Sequence, residues 1–362
     1  MTVSPLNLLA TMGACLLLAS CAQTGPPLPP SLELPKPPTD LRASRKGNHV
    51  TLTWIEPART TDRQTVRSLG PTRICRGLQA EMKECGNPVA QVPPPPQPAQ
   101  PSQTTQPQPR VFTDALPATI QEQNPTGDVT YAVEVLNRDG RSAGISNRVT
   151  VPAAPTLPPP SDFHAELTAN GVEFIWTSAA TPSTLPGVQY HYRIYRRDEA
   201  TGKDAVAAEV PIGEAGPMHA QDTGFEWEKT YRYRITPVTI VNRPGGEAQV
   251  EGDDSPQVRI VAHDVFPPAV PSGLQAVYSG EGQKPFVDLI WAPVTDADLA
   301  GYNVYRREGE AAPIKLNSDL IKAPSYRDGA VMPGKTYFYS VSAVDLRGNE
   351  SARSDEASET VP

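Results

Sequence analysis

The sequence predicts an all-β protein made of three β-sandwich domains in tandem. One ordered set of sequence marks occurs three times, and such internal repetition indicates repeated structural units. Within the marks, apolar and polar residues alternate with a period of two, which is typical of strands with one buried face. One mark ends in Trp54, Trp176 and Trp291, which lie 122 and 115 positions apart. This spacing is close to the roughly 100 residues of one sandwich, so we expect one domain per tryptophan.

Length and composition agree with several small domains joined by extended connectors. The 362 residues suffice for two to three domains. The 42 prolines indicate much turn and linker, whereas 38 % apolar residues can still form packed sheets. The net charge is −8 and there is no polybasic run, which argues against a nucleic-acid partner.

The marks follow the same order in each copy. A proline-containing entry comes first, then a strand that ends in tryptophan (50–54, 172–176 and 287–291). A short segment with arginine in its last position follows at 73–76, 193–196 and 303–306. The fourth mark is a Thr-Tyr pair that opens an alternating strand at 130–135, 230–235 and 336–341. No stretch after the first 21 residues has a comparably regular helical period, so we expect no major helix.

These marks resemble the fibronectin type III family over nearly all of the chain from about 38 to 362. The resemblance implies domains at 38–152, 159–263 and 268–362. It also implies that the three tryptophans are core residues of each second strand, and that three tyrosines form the corner at each sixth strand: Tyr131, Tyr231 and Tyr337. The third copy matches best, through 298–306 and 333–337.

The first copy departs from this pattern. Trp54 and Tyr131 are 77 positions apart, whereas the equivalent residues of the third copy, Trp291 and Tyr337, are 46 apart. The excess includes a run rich in Pro and Gln at 93–109, which cannot bury enough apolar surface to fold. We expect an exposed insertion at about 92–110. The alternative is that the first domain is not a sandwich.

Residues 1–20 are typical of an export signal. The apolar run Leu8–Ser20 has 13 residues, too few for the about 20 that a spanning helix needs. The sequence 18–21, Leu-Ala-Ser-Cys, resembles the lipobox of bacterial lipoproteins, although residues 2–7 lack Lys and Arg. The resemblance implies that Cys21 carries a diacylglycerol and an amide-linked acyl chain such as palmitate. An ordinary secretory signal is the alternative.

The segment 21–37 is rich in proline and predicts an extended tether between the lipid and the first domain. Lipidation would place the protein in the bacterial cell envelope. Because Ala22 rather than Asp follows Cys21, the lipoprotein resemblance favours the outer membrane. The protein would lie on either the periplasmic face or the surface face of that membrane.

Two cysteines remain after the signal and the lipid site, Cys75 and Cys85. In an oxidising compartment an even pair predicts a disulfide; two reduced thiols or half of a metal site are the alternatives. Strand parity turns Cys75 away from the inward-facing Ile74, so we expect the bridge on the sheet surface.

Catalytic and metal motifs are absent from the sequence. The five histidines are scattered without metal-ligand spacing, and there is no nucleophile elbow or phosphate-binding loop. We therefore predict that the protein is not an enzyme and needs no cofactor or metal. Asp296 and Asp298 share one loop, but two carboxylates fall short of the about six to eight oxygens that Ca²⁺ takes, so we interpret this loop as a solvated turn.

One face of the second domain is a candidate binding surface. Parity on two neighbouring strands turns a basic, tyrosine-containing set of side chains outward: Arg193, Tyr195, Arg197, Arg232 and Arg234. Such a face could bind an anionic glycan or a protein. The alternative is that these arginines pair with acidic neighbours such as Glu209.

Together these observations predict a non-catalytic, lipid-anchored envelope protein that presents its domains for adhesion, scaffolding or protein recognition. A polysaccharide-binding accessory module, using the basic face of the second domain, is the alternative function. An enzyme with an unrecognised site is a third class. Membrane attachment through the N-terminal lipid and an unidentified protein or glycan are the expected partners.

Overall fold

The computed structural model describes residues 32–95, 109–178, 185–280 and 282–362. These residues form 22 β-strands and one six-residue helix, which confirms the all-β prediction. The chain divides into two compact units. One consists of Met1–Arg45 and His49–Ala153 and contains the first domain; the other consists of Lys46–Asn48 and Ala154–Pro362 and contains the second and third.

The first domain is a two-sheet sandwich. One sheet has the order β1-β2-β5, formed by Arg42–Lys46, His49–Ile55 and Pro109–Ala115. The other has the order β4-β3-β6-β7, formed by Ala90–Val92, Leu69–Gly77, Asp128–Asn137 and Val149–Pro152. The helix α1, Ala118–Gln123, lies between β5 and β6 in the chain. The core joins Trp54 of β2 to Ile74 of β3 and Tyr131 of β6, so the alternative without a sandwich is wrong.

The second domain repeats this plan. Its smaller sheet has the order β12-β9-β8, formed by Gly216–Asp222, Gly171–Ser178 and His164–Thr168. Its larger sheet runs β11-β10-β13-β14, with β15 also paired to β13. These strands are Asp204–Pro211, Val188–Asp198, Thr230–Arg243, Gly246–Glu251 and Val258–Val261. In β9, Phe174 packs at a tilt against Tyr233 and Trp176 packs edge-on against Tyr192 of the opposite sheet, with ring centroids 5.0 and 5.7 Å apart.

The third domain has the same arrangement. One sheet has the order β16-β17-β20, formed by Ser272–Ser279, Phe286–Ala292 and Ser325–Asp328. The other has the order β19-β18-β21-β22, formed by Ile314–Lys315, Leu299–Glu308, Thr336–Asp345 and Ala357–Thr360. Trp291 of β17 lies edge-on to Tyr302 of β18, with centroids 5.2 Å apart.

The tryptophans lie where the family resemblance predicts. Each sits in the second strand of its domain and is buried in that domain's core: Trp54, Trp176 and Trp291. Burying such an aromatic side chain supplies much of the apolar stabilisation that a small sandwich needs. Each domain therefore has its own core, which includes one buried tryptophan from the second strand.

The predicted signal 1–20, the lipid cysteine Cys21 and most of the tether 21–37 lie outside the described residues. The end of the tether is not a free spacer, because Lys36 N donates to Arg59 O at 3.0 Å and Thr61 N to Leu34 O at 2.9 Å. The insertion expected at about 92–110 falls mostly on 96–108, also outside the described part; β4 ends at Val92 and β5 begins at Pro109. In the described ranges no helix is long and apolar enough to cross a bilayer.

Candidate functional site

The predicted basic face of the second domain is assembled on β10 and β13. These strands are antiparallel neighbours, and their register places Tyr195 beside Arg234 and Arg197 beside Arg232. Tyr192 and Ile194, the alternate residues of β10, are buried in the core. Arg193, Tyr195, Arg197, Arg232 and Arg234 therefore share the outer face, as parity requires.

Acidic side chains already neutralise this face. Arg193 donates through Nε to Glu209 at 2.9 Å and through Nη2 to Gln249 at 2.9 Å. Arg232 donates to Glu199 at 2.6 Å. The pairing of Arg193 with Glu209, which the sequence analysis gave as the alternative to a binding surface, is present.

The other two arginines share an acidic partner. Arg197 and Arg234 each lie 3.5 Å from Asp204, and Arg234 also lies 3.4 Å from Asp254. The Arg193 guanidinium, which donates to the Glu209 carboxylate, lowers the pKa of that group. Every arginine of the predicted face thus has an anionic partner, which reduces the charge available to an anionic polymer.

Tyr195 is also occupied. Its hydroxyl donates a hydrogen bond to Glu251, and the Arg234 guanidinium carbon lies 4.4 Å from its ring centroid. Burial, followed by the bond to Glu251, raises the pKa of this phenol. A cation over the ring is a stabilising arrangement in its own right, so one ring face is not free for stacking on a ligand.

Each domain contains a buried Arg–Asp–Tyr triad that the sequence reasoning missed. In the second domain, Asp222 accepts from Arg196 Nη1 at 2.7 Å and from the Tyr233 hydroxyl at 3.0 Å. Gly224 N adds a third bond to this carboxylate at 2.9 Å. Burial and the neighbouring Asp222 charge raise the pKa of Tyr233. The tyrosine stays protonated and serves as a donor.

The third domain repeats the triad with nearly the same geometry. Asp328 accepts from Arg306 Nη1 at 2.7 Å and from the Tyr339 hydroxyl at 3.0 Å. Burial, reinforced by the Asp328 charge, raises the pKa of Tyr339. A fully partnered buried network of this kind stabilises and specifies a core, so its role here is structural.

The first domain has a variant of the triad. Asp114 accepts from Arg76 Nη1 and from the Tyr131 hydroxyl, both at 2.7 Å. Val133 stands at the position of Tyr233 and Tyr339, two residues after the Thr-Tyr pair. The Tyr131 hydroxyl takes over the missing contact with the carboxylate.

The tyrosine corner implied by the resemblance is therefore present in two of the three domains. The Tyr231 hydroxyl accepts from Glu226 N at 3.1 Å, and the Tyr337 hydroxyl accepts from Met332 N at 3.0 Å. Both bonds return to the backbone five residues upstream. Tyr131 is buried at the equivalent position but bonds to Asp114 instead.

Cys75 and Cys85 form the predicted disulfide, with Cα atoms 5.2 Å apart. Its expected place on the sheet surface is corrected by the structure. Cys75 is only 1 % exposed although it lies outside the core of the first domain, in contrast to Ile74. The segment that the bridge closes, together with Cys85, covers the outward-facing sulfur, and this segment lines a pocket of about 680 Å³.

The second and third domains meet at an ordered junction, which the sequence reasoning did not anticipate. Asn349 Nδ2 of the third domain donates to Asp264 O of the connecting segment at 3.1 Å. Glu228, whose φ of 63° is unusual for a non-glycine residue, lies 3.8 Å from Arg347. The same carboxylate lies 2.8 Å from His263 Nδ1. Contacts from both domains thus converge on a short connector.

Three carboxylates also come together at this junction. Oxygens of Asp264, Asp298 and Asp345 lie within 4.8 Å of one another. Asp296 and Asp298 lie in the loop between β17 and β18, and Asp296 accepts from Ala269 N at 2.6 Å. Three carboxylates supply fewer than the about six to eight oxygens of a Ca²⁺ site, so the cluster alone does not define a metal centre.

The comparisons with known proteins are short or partial matches. No protein-family model matches the chain. An amylopullulanase of Thermoanaerobacterium saccharolyticum is 37 % identical over 91 residues, which are 25 % of this chain and 7 % of that enzyme. Exoglucanase B of Cellulomonas fimi is 26 % identical over 244 residues, 64 % of this chain and 20 % of that enzyme. The chain thus spans a fifth or less of the length of either relative.

A solved structure, that of a Fn3-like protein from Clostridium thermocellum, is 32 % identical. It covers 27 % of this chain and 96 % of its own, with a TM-score of 0.23. Three two-sheet sandwiches, each with a buried tryptophan in its second strand, define the protein as one built of tandem fibronectin type III-like β-sandwich domains.

Proposed function

We propose that the protein is a non-catalytic, lipid-anchored component of a bacterial cell envelope that presents its sandwich domains as a scaffold for recognition of other molecules. The junction between the second and third domains carries this proposal. A hydrogen bond from Asn349, the approach of Arg347 to Glu228 and the contact of Trp227 with Phe266, with centroids 6.1 Å apart, all restrain it. A restrained junction holds two domains at a fixed spacing, which suits a presenting scaffold.

The anchor in this proposal rests on the lipobox resemblance at 18–21. Diacylglycerol and an amide-linked chain together exceed the about two membrane signals that stable anchoring requires. The proline-rich stretch that follows would separate the first domain from the membrane surface.

The non-catalytic part of the proposal is supported by the use that the structure makes of its polar side chains. The Asp and Tyr residues of the triads are buried within the domains and satisfy one another. His191 and His263 lie against exposed surface carboxylates, Glu209 and Glu228. These groups serve folding and surface pairing rather than converging on a reacting atom.

Polysaccharide binding is the second candidate function. Matches to an amylopullulanase and an exoglucanase favour it, because both relatives are enzymes named for the glucans they cleave and this chain matches only a fraction of each. The paired arginines of the second domain weigh against the basic face as the binding surface. Replacing Arg193, Arg197, Arg232 and Arg234 by Ala should therefore leave polysaccharide binding by the chain unchanged.

Membrane fractionation tests the anchor. The native chain is compared with Cys21→Ala, and Cys15→Ala within the predicted signal is the matched control. We expect the native and Cys15→Ala chains in the membrane fraction with radiolabelled palmitate attached, and Cys21→Ala unlabelled and released. A labelled, membrane-bound Cys21→Ala chain would overturn the proposal. Protease added to intact cells then separates a surface location, where the domains are cut, from a periplasmic one.

A further inference from the structure

A pocket of about 650 Å³ lies at the junction of the second and third domains. Its wall includes Trp227 and Phe266 from the second domain and the connector, and Leu346 from the third. Its polar lining includes Asn170, Asp264 and Asp298. Binding sites for small ligands occupy about 300–1,000 Å³, occur often at domain interfaces, and combine apolar walls with a few polar groups. The pocket meets each of these conditions.

The aromatic wall is held in place by its neighbours. Trp227 packs edge-on against Phe225 with centroids 4.8 Å apart, and lies 6.1 Å from Phe266. Phe225 and Trp227 both pack against the core of the second domain. The indole therefore offers the pocket a pre-oriented apolar surface, which lowers the entropy cost of binding.

Polar groups beside this wall are free to bind a ligand. Over the described ranges of the chain, neither the Asp298 carboxylate nor the Asn170 side-chain amide has a hydrogen-bond partner. Asp264, in contrast, accepts from Phe266 N at 3.2 Å and is buried. Acceptors and a donor thus stand next to an aromatic surface.

We propose that this pocket binds one sugar unit of a neutral polysaccharide, with a pyranose face on the Trp227 indole and its hydroxyls on Asp298 and Asn170. The inference rests on the second candidate function and moves its site away from the basic face. A sugar ring has an apolar C–H face and a hydroxyl edge, which match the two kinds of lining. The carboxylates that line the pocket repel anionic polymers, so the glycan is uncharged.

Electrophoresis in gels that contain a polysaccharide tests the proposal. The full chain in mild detergent is run in pullulan, in hydroxyethyl cellulose and in anionic polygalacturonate. We expect retardation in at least one neutral gel and none in polygalacturonate. Asp298→Ala removes a side chain without partners and Leu346→Ala an exposed wall residue, so both variants should fold. Because Asp298→Ala loses a charge-assisted hydrogen bond, its affinity for the polysaccharide in the gel should be about tenfold weaker.

Matched controls lie on the same domain. Met332→Ala is the control for Leu346→Ala. Met332 is 61 % exposed and lies outside the pocket, and Leu346 is 73 % exposed. Asp319→Ala controls for Asp298→Ala. Both control variants should be retarded like the native chain. Equal retardation of native, Asp298→Ala and Leu346→Ala chains would overturn the pocket while leaving polysaccharide binding standing.

Two other outcomes also overturn the inference. The first is no retardation of the native chain in either neutral gel; membrane anchoring through Cys21 would survive that result, so the two failures are distinguishable. The second is a melting temperature that Ca²⁺ alone raises in the native chain but not in Asp298→Ala, without retardation by a glycan. The carboxylates would then be a cation site rather than part of a sugar site.

Discussion

The buried triads predict that, in each domain, the carboxylate of the triad stabilises the folded state. In the second domain we consider Asp222→Asn, which keeps the shape of the side chain and removes its charge. The Asp222 side chain is 4 % exposed and that of Arg196 is 18 % exposed. The substitution leaves Arg196 without its counter-ion in a largely desolvated place. Breaking a buried pair in this way costs about 3–5 kcal/mol.

For Asp222→Asn, the lower end of this range of about 3–5 kcal/mol applies. Arg196 is not fully enclosed, and its guanidinium carbon also lies 5.3 Å from the Tyr231 ring centroid, which keeps some of the cation's stabilisation. We therefore expect a loss of about 3 kcal/mol. For a domain of about 100 residues, 1 kcal/mol shifts the melting temperature by about 4–8 °C, so the second domain should melt at least about 12 °C lower.

Calorimetry of the full chain measures this effect, since a multi-domain protein need not unfold in one step. Asp204→Asn is the matched control. Its side chain is 38 % exposed and its contacts with Arg197 and Arg234 are 3.5 Å long, so about 1 kcal/mol or less is at stake. Equal melting temperatures for Asp222→Asn and Asp204→Asn would refute the idea that the triad stabilises the domain.

Three further predictions concern single bonds. Replacing both Cys75 and Cys85 by Ser should destabilise the first domain alone by about 2–3 kcal/mol, because the bridge closes a loop of about 11 residues; urea unfolding followed by hydrogen exchange of the first domain's amides checks this, and an unchanged midpoint contradicts it. Tyr339 has a raised pKa through burial and Asp328, so its contribution to stability is complete below about pH 10 and is lost as pH rises through the folded pKa. Between pH 8 and pH 11 the melting temperature should therefore fall less steeply for Tyr339→Phe than for the native chain. Tyr231→Phe removes the bond from Glu226 N and should cost about 1 kcal/mol; hydrogen exchange at that amide should accelerate, whereas an unaltered rate would count against the corner.

Local patterns in the sequence were enough to predict the all-β class and the strands that carry the recurrent marks. Alternation fixes which side chains share a face, and this alone located the outer face that carries Arg193 and Tyr195. Repetition in triplicate located the three tryptophans, and the family resemblance predicted that they are core residues. Both patterns depend on residues close together along one strand. They can therefore be recognised without knowing how the strands pack against one another.

Features that depend on contacts between strands of different sheets were missed. Arg196 and Asp222 are 26 residues apart, and only the packed sandwich brings them together. A signal did exist, since Arg76, Arg196 and Arg306 end the same mark in all three copies. The cover over Cys75 and the junction at Asn349 depend on loop and domain packing, which alternation does not encode.

The spacing of the second and third domains is the central structural claim and can be measured directly. Nitroxide labels at Lys203 and Lys315, both exposed, report the distance between these domains by pulsed electron paramagnetic resonance on the full chain. We predict a single narrow distance distribution that broadens when Asn349 and Arg347 are both replaced by Ala. A broad distribution in the native chain would contradict the account, because the domains would then be joined by a flexible linker.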